Sequence, residues 1–266
     1  TALVWAIARA NASWGRVRIA RQIALLGAFL SAAAVRNILG RPAPRDPDSQ
    51  RILRKAIAAQ EEGCPARSIP AWYPNHVWSV DLTVVRRWFC WPTYVLLAID
   101  HFSRAIVAAV PLEGPNAGWS VDALEDAFRR FGAPKHLITD KGSLFTGTAI
   151  RELLGCWGVK HRLGAVGKHG SIAVTERAIQ TLKYEWLKKV PLITGGSHLA
   201  ALCQDFQAWY NHWRPHMAFP GEHPWDRRLG WHSAPPPKTA KALPPDIEVR
   251  LFPDTRVTGF RLKRCA

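Results

Sequence analysis

Apolar residues recur along this chain at two periods, and the change between them marks its organisation. In residues 14–40 the spacing is helical. Val17, Ile19, Ile23, Leu25 and Leu26 give a first helix its apolar positions, and Gly27 supplies a turn. Ser31 is placed to cap a second helix that runs through Val35, Ile38 and Leu39 to Gly40. Two short helices so joined fit a helix-turn-helix or a plain helical hairpin, and the pattern alone does not separate them. RPAPRDPDSQ at 41–50 reads as a proline-rich linker, followed by a charged helix at about 51–62 and a loop with Pro65, Pro70 and Pro74.

The centre shifts to strand patterning. VWSVDLTVV, YVLLAID and AIVAAVPL are three adjoining runs rich in β-branched residues. SVDALEDAFRRFG predicts an amphipathic helix ending at Gly132, KHLITD a fourth strand, TAIRELLGCWGV a helix and KHRLGAV a fifth strand. One long helix is expected over about 172–190 and another over about 198–213. Three strands followed by alternating helices and strands predict an α/β layered domain on a mixed sheet. APPPKTAKALPP at 234–245 is a second linker, and IEVRLF and RVTGFRLKR predict two strands of a small basic module. The expected division is therefore 1–45, a linker with a helix at 46–73, a core at 74–230, and a tail at 231–266.

Charge adds a partner to this picture. The 266 residues hold 36 Lys and Arg against 20 Asp and Glu, a formal charge of +16 with a pI near 10.3. Such an excess predicts a polyanion, because neutralising phosphates releases condensed counterions. The alternative is a basic protein that merely meets nucleic acid non-specifically or binds an acidic membrane surface, and the charge favours nucleic acid. Seven arginines precede the first acid, Asp46, and the tail is again basic, so the acids concentrate in the centre. The apolar stretch from Gln22 to Val35 is too short to span a bilayer, and TALVWAIARANASWGRVR lacks the core of a signal peptide. Five dispersed cysteines, at 64, 90, 156, 203 and 265, show neither zinc spacing nor a disulfide framework. A reducing, cytoplasmic location is expected.

Three of the central acids sit where chemistry would need them. Asp81 lies inside a strand between Val80 and Leu82, where a charge is costly unless a metal or partner stabilises it. Asp140 ends the fourth strand ahead of a Lys141-Gly142-Ser143 turn. Glu176 stands near the start of the long helix, on one face with Gln180 and Lys183 and beside the apolar stripe of Ile179, Leu182 and Trp186. Carboxylates without a dense His/Cys set favour a hard ion such as Mg²⁺ or Mn²⁺. Two such ions could activate a water or 3′-hydroxyl and stabilise the leaving oxygen. Each acid taken alone reads more simply as a surface residue, a cap or an ion-pair partner. Asp100 also ends a strand and is expected to be structural.

WSVDLT, LAIDHFSR, LITDKGSLFTG, TERAIQTLKYEW and WYNHWRPHMA resemble the integrase catalytic core of bacterial insertion-sequence transposases and retroviral integrases. The resemblance covers about residues 74–230, and WGRVRIARQIALLG with VRNIL is similar to the helix-turn-helix upstream of such cores. It implies an RNase H-like five-stranded fold, a catalytic and metal-holding Asp81, Asp140 and Glu176, and two divalent ions. It also implies metal-dependent cleavage at element ends with strand transfer into target DNA, by an oligomer assembled on DNA in a bacterial cell. The 35 residues between Asp140 and Glu176 match the family spacing. Leu144, His169 and Ala178 depart from residues common among relatives. Lys141, Lys168, His169, Gln180, Lys183, Lys188 and Lys189 are expected along the DNA end. Arg16, Arg18, Arg21, Arg36 and Asn37 are expected in the helix-turn-helix, with Arg36 and Asn37 suited to guanine and adenine edges. Alternative readings are an inactive DNA-binding relative and a metal nuclease without strand transfer.

Overall fold

The structure, a computed structural model, describes residues 2–40, 70–86, 92–114, 116–140, 142–164, 173–219, 221–231 and 247–262. Both expected linkers, the charged helix at 51–62, and Lys141, Lys168 and His169 lie outside the described residues.

The central strands are β1 (Val77–Arg86), β2 (Pro92–Asp100), β3 (Ile106–Leu112), β4 (His136–Thr139) and β5 (Lys160–Leu163). They form one sheet in the order β3-β2-β1-β4-β5. β1, β2 and β3 pair antiparallel, whereas β4 and β5 run parallel to β1. The mixed sheet expected from the three strand runs and the later alternation is therefore present.

Helices cover both faces, which is why β2 reads as a nearly unbroken apolar run. On one face Trp78, Val80, Leu96 and Ala98 pack with Leu124 and Phe128 of α4 (Ala117–Phe131). Ile150 and Leu154 of α6 (Thr148–Cys156) complete that layer, after the single turn α5 (Ser143–Thr146). The α4 helix starts ahead of the expected SVDALEDAF run because Asn116 caps it, its Oδ1 accepting from Gly118 N at 2.9 Å. It stops at Gly132, whose φ of 81° suits glycine.

On the other face Val95, Leu97, Ile99 and Ile106 meet α7 (Ala173–Thr181) and α8 (Gly196–His212). Asn211 fastens α8 to β3, accepting from Ile106 N at 2.8 Å and donating to Ile106 O at 2.9 Å. The long helix expected over 172–190 is present over residues 173–189, but its winding changes along its length. After α7 the chain opens into a π-helical turn, Leu182–Trp186, and a 3₁₀ turn, Leu187–Lys189. The widened turn accommodates burial of Leu182, Trp186 and Leu187 together. Trp186 Nε1 donates to Leu202 O at 2.9 Å, and its ring lies 5.1 Å from that of Trp209.

The terminal elements share this second core. α1 (Ala2–Ala10), α2 (Arg16–Leu25) and α3 (Ala32–Ile38) contribute Ile7, Ile19, Ile23 and Val35, and the turn between α1 and α2 contributes Trp14, to the same cluster as Trp186 and Phe206. Ser31 caps α3 as expected, accepting from Ala34 N at 3.1 Å. The hairpin of β6 (Ile247–Phe252) and β7 (Val257–Leu262) adds Phe252, Val257 and Phe260. Polar side chains stitch the two ends: Gln22 Nε2 donates to Phe260 O at 2.6 Å and Asn11 Nδ2 to Thr258 O at 3.2 Å.

Candidate active site

Strand pairing places the first two acids. β1 and β4 run parallel with Val77 opposite His136 and Ser79 opposite Ile138, so two residues further on Asp81 is level with Asp140. Adjacent strands stand about 4.8 Å apart. The third acid arrives through α7, which packs against β1 and β2. A hydrogen bond joins Thr175, the residue before Glu176, to Ser79 on β1. His101 Nε2 meets the same Ser79 Oγ at 2.7 Å. This buried chain fixes the start of α7 against the stretch of β1 that leads to Asp81.

The electrostatics of Asp81 register its neighbours. Its carboxyl is raised from 3.8 to about 6, first by burial and then by the charges of Asp140 and Glu176. A hydrogen bond from Leu82 N to Asp81 Oδ1, at 2.7 Å, and the charge of Lys183 act in the opposite direction. Asp140 Oδ1 accepts from Gly142 N at 3.1 Å, which orients that carboxylate within its turn. Among the described residues no group of three or more His, Cys, Asp or Glu closes to within the reach of one metal ion. The donor chemistry nevertheless suits a hard cation: three carboxylate groups offer oxygen donors, and a cation would relieve the burial and like charge that raise Asp81. Glu176 is exposed, so packing does not lock its side chain.

The other expected contacts separate into groups. Lys183 and Lys188 join Arg86 around an open cleft of about 500 Å³, floored by Val85, Leu187 and Ile193. Gln180 is exposed and accepts from Arg177 Nη1 at 3.2 Å. Lys189 is half-buried, and desolvation lowers its pKa. Asn37 is exposed, while Arg16 and Arg36 are half-buried. Arg18 does not stand on an open reading face. Its Nη1 pairs with Glu185 Oε2 at 2.8 Å, and its side chain is only 14% exposed, because α2 lies against the core. Leu144 is half-buried in α5, and Ala178 is fully buried where α7 meets the core, a place suited to a small side chain. Asp100 is fully buried, accepts from Ser103 N at 3.1 Å and faces Arg228 at 3.5 Å, the structural role expected of it.

Sequence reasoning missed Ser79, Thr175 and His101, whose small or neutral side chains carry no signal without the pairing that joins them. It also left Tyr210, Arg214 and His216 of the WYNHWRPHMA segment without a role.

A five-stranded sheet in this order, with one acid within the central strand, one just past the end of its parallel neighbour and one on the helix packed against them, defines the RNase H-like class. Residues 73–169 match one family profile described as an integrase core domain, and residues 157–224 match a second of the same description. Between them the two matches run from residue 73 to residue 224, and over that stretch the chain is similar to integrase core domains. It is 28% identical over 165 residues to the Gag-Pol polyprotein of Rous sarcoma virus subgroup B (strain Schmidt-Ruppin), covering 53% of this chain and 10% of that protein. It is 31% identical over 150 residues to the insertion element IS407 uncharacterized 31.7 kDa protein of Burkholderia multivorans, covering 54% of this chain and 52% of that protein. The chain thus spans a tenth of the viral relative and about half of the bacterial one. In fold it is similar to a simian T-cell lymphotropic virus intasome structure in complex with PP2A regulatory subunit B56 gamma. That likeness has a TM-score of 0.55 at 17% identity, over 87% of this chain and 82% of that one. Among the described residues no helix is long and apolar enough to cross a membrane.

Proposed function

We propose that this protein is a DNA transposase or integrase that cuts element ends and joins them to target DNA, with Asp81, Asp140 and Glu176 as its catalytic acids. The observation that carries the reading is the parallel register of β1 and β4, which sets Asp81 level with Asp140, together with the Thr175–Ser79 hydrogen bond that holds the start of α7, and so Glu176, against β1. Three acids on two adjacent inner strands and the helix packed against them are costly to bring together without a cation. Asp81, Asp140 and Glu176 would hold Mg²⁺ or Mn²⁺, which on binding supplies activation of a water or 3′-hydroxyl and stabilisation of the leaving oxygen. The backbone N–H of Leu82 and that of Gly142 orient the two aspartates. Lys183 offsets the negative charge at Asp81 and would meet a DNA phosphate beside the acids. DNA as the partner, an oligomer on DNA, and two ions rather than one belong to this proposal.

The test uses labelled element ends and a target plasmid with Mg²⁺ or Mn²⁺. Wild-type protein is expected to nick the ends and join them to plasmid. Asp81→Asn, Asp140→Asn and Glu176→Gln should each abolish both steps while DNA affinity is retained. Cleavage without joined product would leave only a nuclease. Cleavage that survives all three substitutions would remove the triad.

A further inference from the structure

A second charged enclosure lies on the other side of α7. A cavity of about 450 Å³ is bounded by Arg18 of α2, Arg177 and Thr181 of α7, and Tyr210, Arg214 and His216 at and beyond the end of α8. The last three belong to the WYNHWRPHMA segment, which the carboxylate chemistry leaves unused. Three guanidiniums meet here against little negative charge. Arg18 and Arg214 share a single carboxylate, Glu185, at 2.8 and 3.1 Å. Arg177 has a neutral partner, Gln180. Each arginine offers five N–H donors, and Glu185 engages Nε and Nη2 of Arg214 and Nη1 of Arg18. Arg177 Nη1 is taken by Gln180, so each of the three guanidiniums offers more N–H groups than these bonds use.

The surroundings raise the positive potential further. The Arg214 side chain is 5% exposed, so its charge is largely desolvated. Burial, with Arg214, Arg104, Arg18 and Arg21, pushes His216 down to about 3. Tyr210, fully wrapped, sets its hydroxyl 3.4 Å from His216 Nε2. Like charges at this density in a partly enclosed space attract an anion, and the planar guanidinium fork matches phosphate geometry.

We propose that this cavity binds a phosphate group, gripped by Arg177 together with Arg18 and Arg214. Its volume admits a phosphate or diphosphate and excludes a duplex, so DNA would enter it by one backbone phosphate. Arg177 follows Glu176 on α7, about 100° further around the helix. A strand whose scissile phosphate lay at the acids would therefore have a neighbouring segment near the cavity mouth. A free phosphate-bearing molecule offers the same chemistry.

The test reads the cavity apart from catalysis, without divalent ions. Pyrophosphate is titrated against a chloride series of matched ionic strength while thermal unfolding is followed. Wild-type protein should gain a saturable rise in Tm. Arg177→Gln, which leaves the Arg18–Glu185–Arg214 cluster intact, should weaken the apparent affinity about tenfold, the size of a lost charge-assisted hydrogen bond. Arg177→Lys should fall between them. Arg129→Gln removes an equal charge from the opposite layer and should match wild type. A Tm rise no greater than that in chloride would overturn the proposal, as would equal responses of Arg177→Gln and wild type. A second arm measures affinity for a short duplex across a salt series. A slope lower by about one in Arg177→Gln assigns the site to DNA phosphate. An unchanged slope, with the pyrophosphate response lost, assigns it to a free phosphate-bearing molecule.

Discussion

Arg18 and Glu185 lie 167 residues apart in sequence, and a 2.8 Å ion pair joins them, with each side chain only 14% exposed. Glu185 comes from the π-helical turn that follows the helix bearing Glu176, and Arg18 from the second N-terminal helix. The carboxylate also takes two donors of Arg214, so one acid couples the N-terminal helices to the core.

Removing that acid leaves two desolvated guanidiniums facing each other. Glu185→Gln is expected to destabilise the protein by about 3 kcal/mol, the low end for breaking a buried pair. Urea unfolding measures it. Arg18→Met, which removes a charge along with its repulsion of Arg214, should cost less, and the double variant should show strong non-additivity. Additive effects would mean that the pair contributes nothing to the coupling.

Reading of DNA ends by α3 cannot be tested by cutting away residues 1–45. That deletion strips Ile7, Trp14, Ile19, Ile23, Leu26 and Val35 from a shared core and is expected to unfold much of it. Point variants are the cleaner probe. Asn37→Ala and Arg36→Ala should each reduce discrimination of element ends from random duplex by about 1–3 kcal/mol with little change in stability. Competition binding measures this, and undiminished discrimination in the pair would exclude α3 as the reader.

The raised carboxyl of Asp81 predicts a pH signature. Between its ordinary 3.8 and about 6 the folded protein holds a proton that the unfolded chain has released, so this group makes stability fall as pH rises through that window. His101, pushed down to about 4 by burial, acts oppositely over an overlapping range, since the unfolded chain then binds the extra proton. The informative quantity is therefore the difference between wild type and Asp81→Asn. That difference should favour wild type at pH 4 and shrink towards pH 7, and saturating Mg²⁺ should restore it at pH 7. A flat difference curve would show that Asp81 titrates normally.

Gly259 predicts how firmly the C-terminal hairpin is seated. A Cβ added there would lie 2.8 Å from Cβ and Cε3 of Trp213, closer than such atoms approach. Trp213 is itself buried and meets the Arg261 guanidinium 4.3 Å from its ring centroid. Gly259→Ala should therefore lift β7 from the core at a cost of about 1–3 kcal/mol. Limited proteolysis should then cut near β6 and β7 earlier than in wild type. An unaltered unfolding curve and cleavage pattern would mean that Trp213 yields without cost.

Residue order alone made the sheet legible, because β-branched runs and caps such as Ser31 act locally and announce themselves at periods the chain cannot hide. It also singled out Asp81, Asp140 and Glu176, since acids at strand ends and in flanking words of known kind stand out one at a time. The change of winding at Leu182 was not legible there. It depends on Trp186 finding Leu202 O and the ring of Trp209, which only packing brings near. Nor could order distinguish Arg18 on an open helix from Arg18 against Glu185, because a charge reads the same until its partner is known. Tertiary structure decided where the arginines meet, as interactions between desolvated charges depend on distance through space and not along the chain.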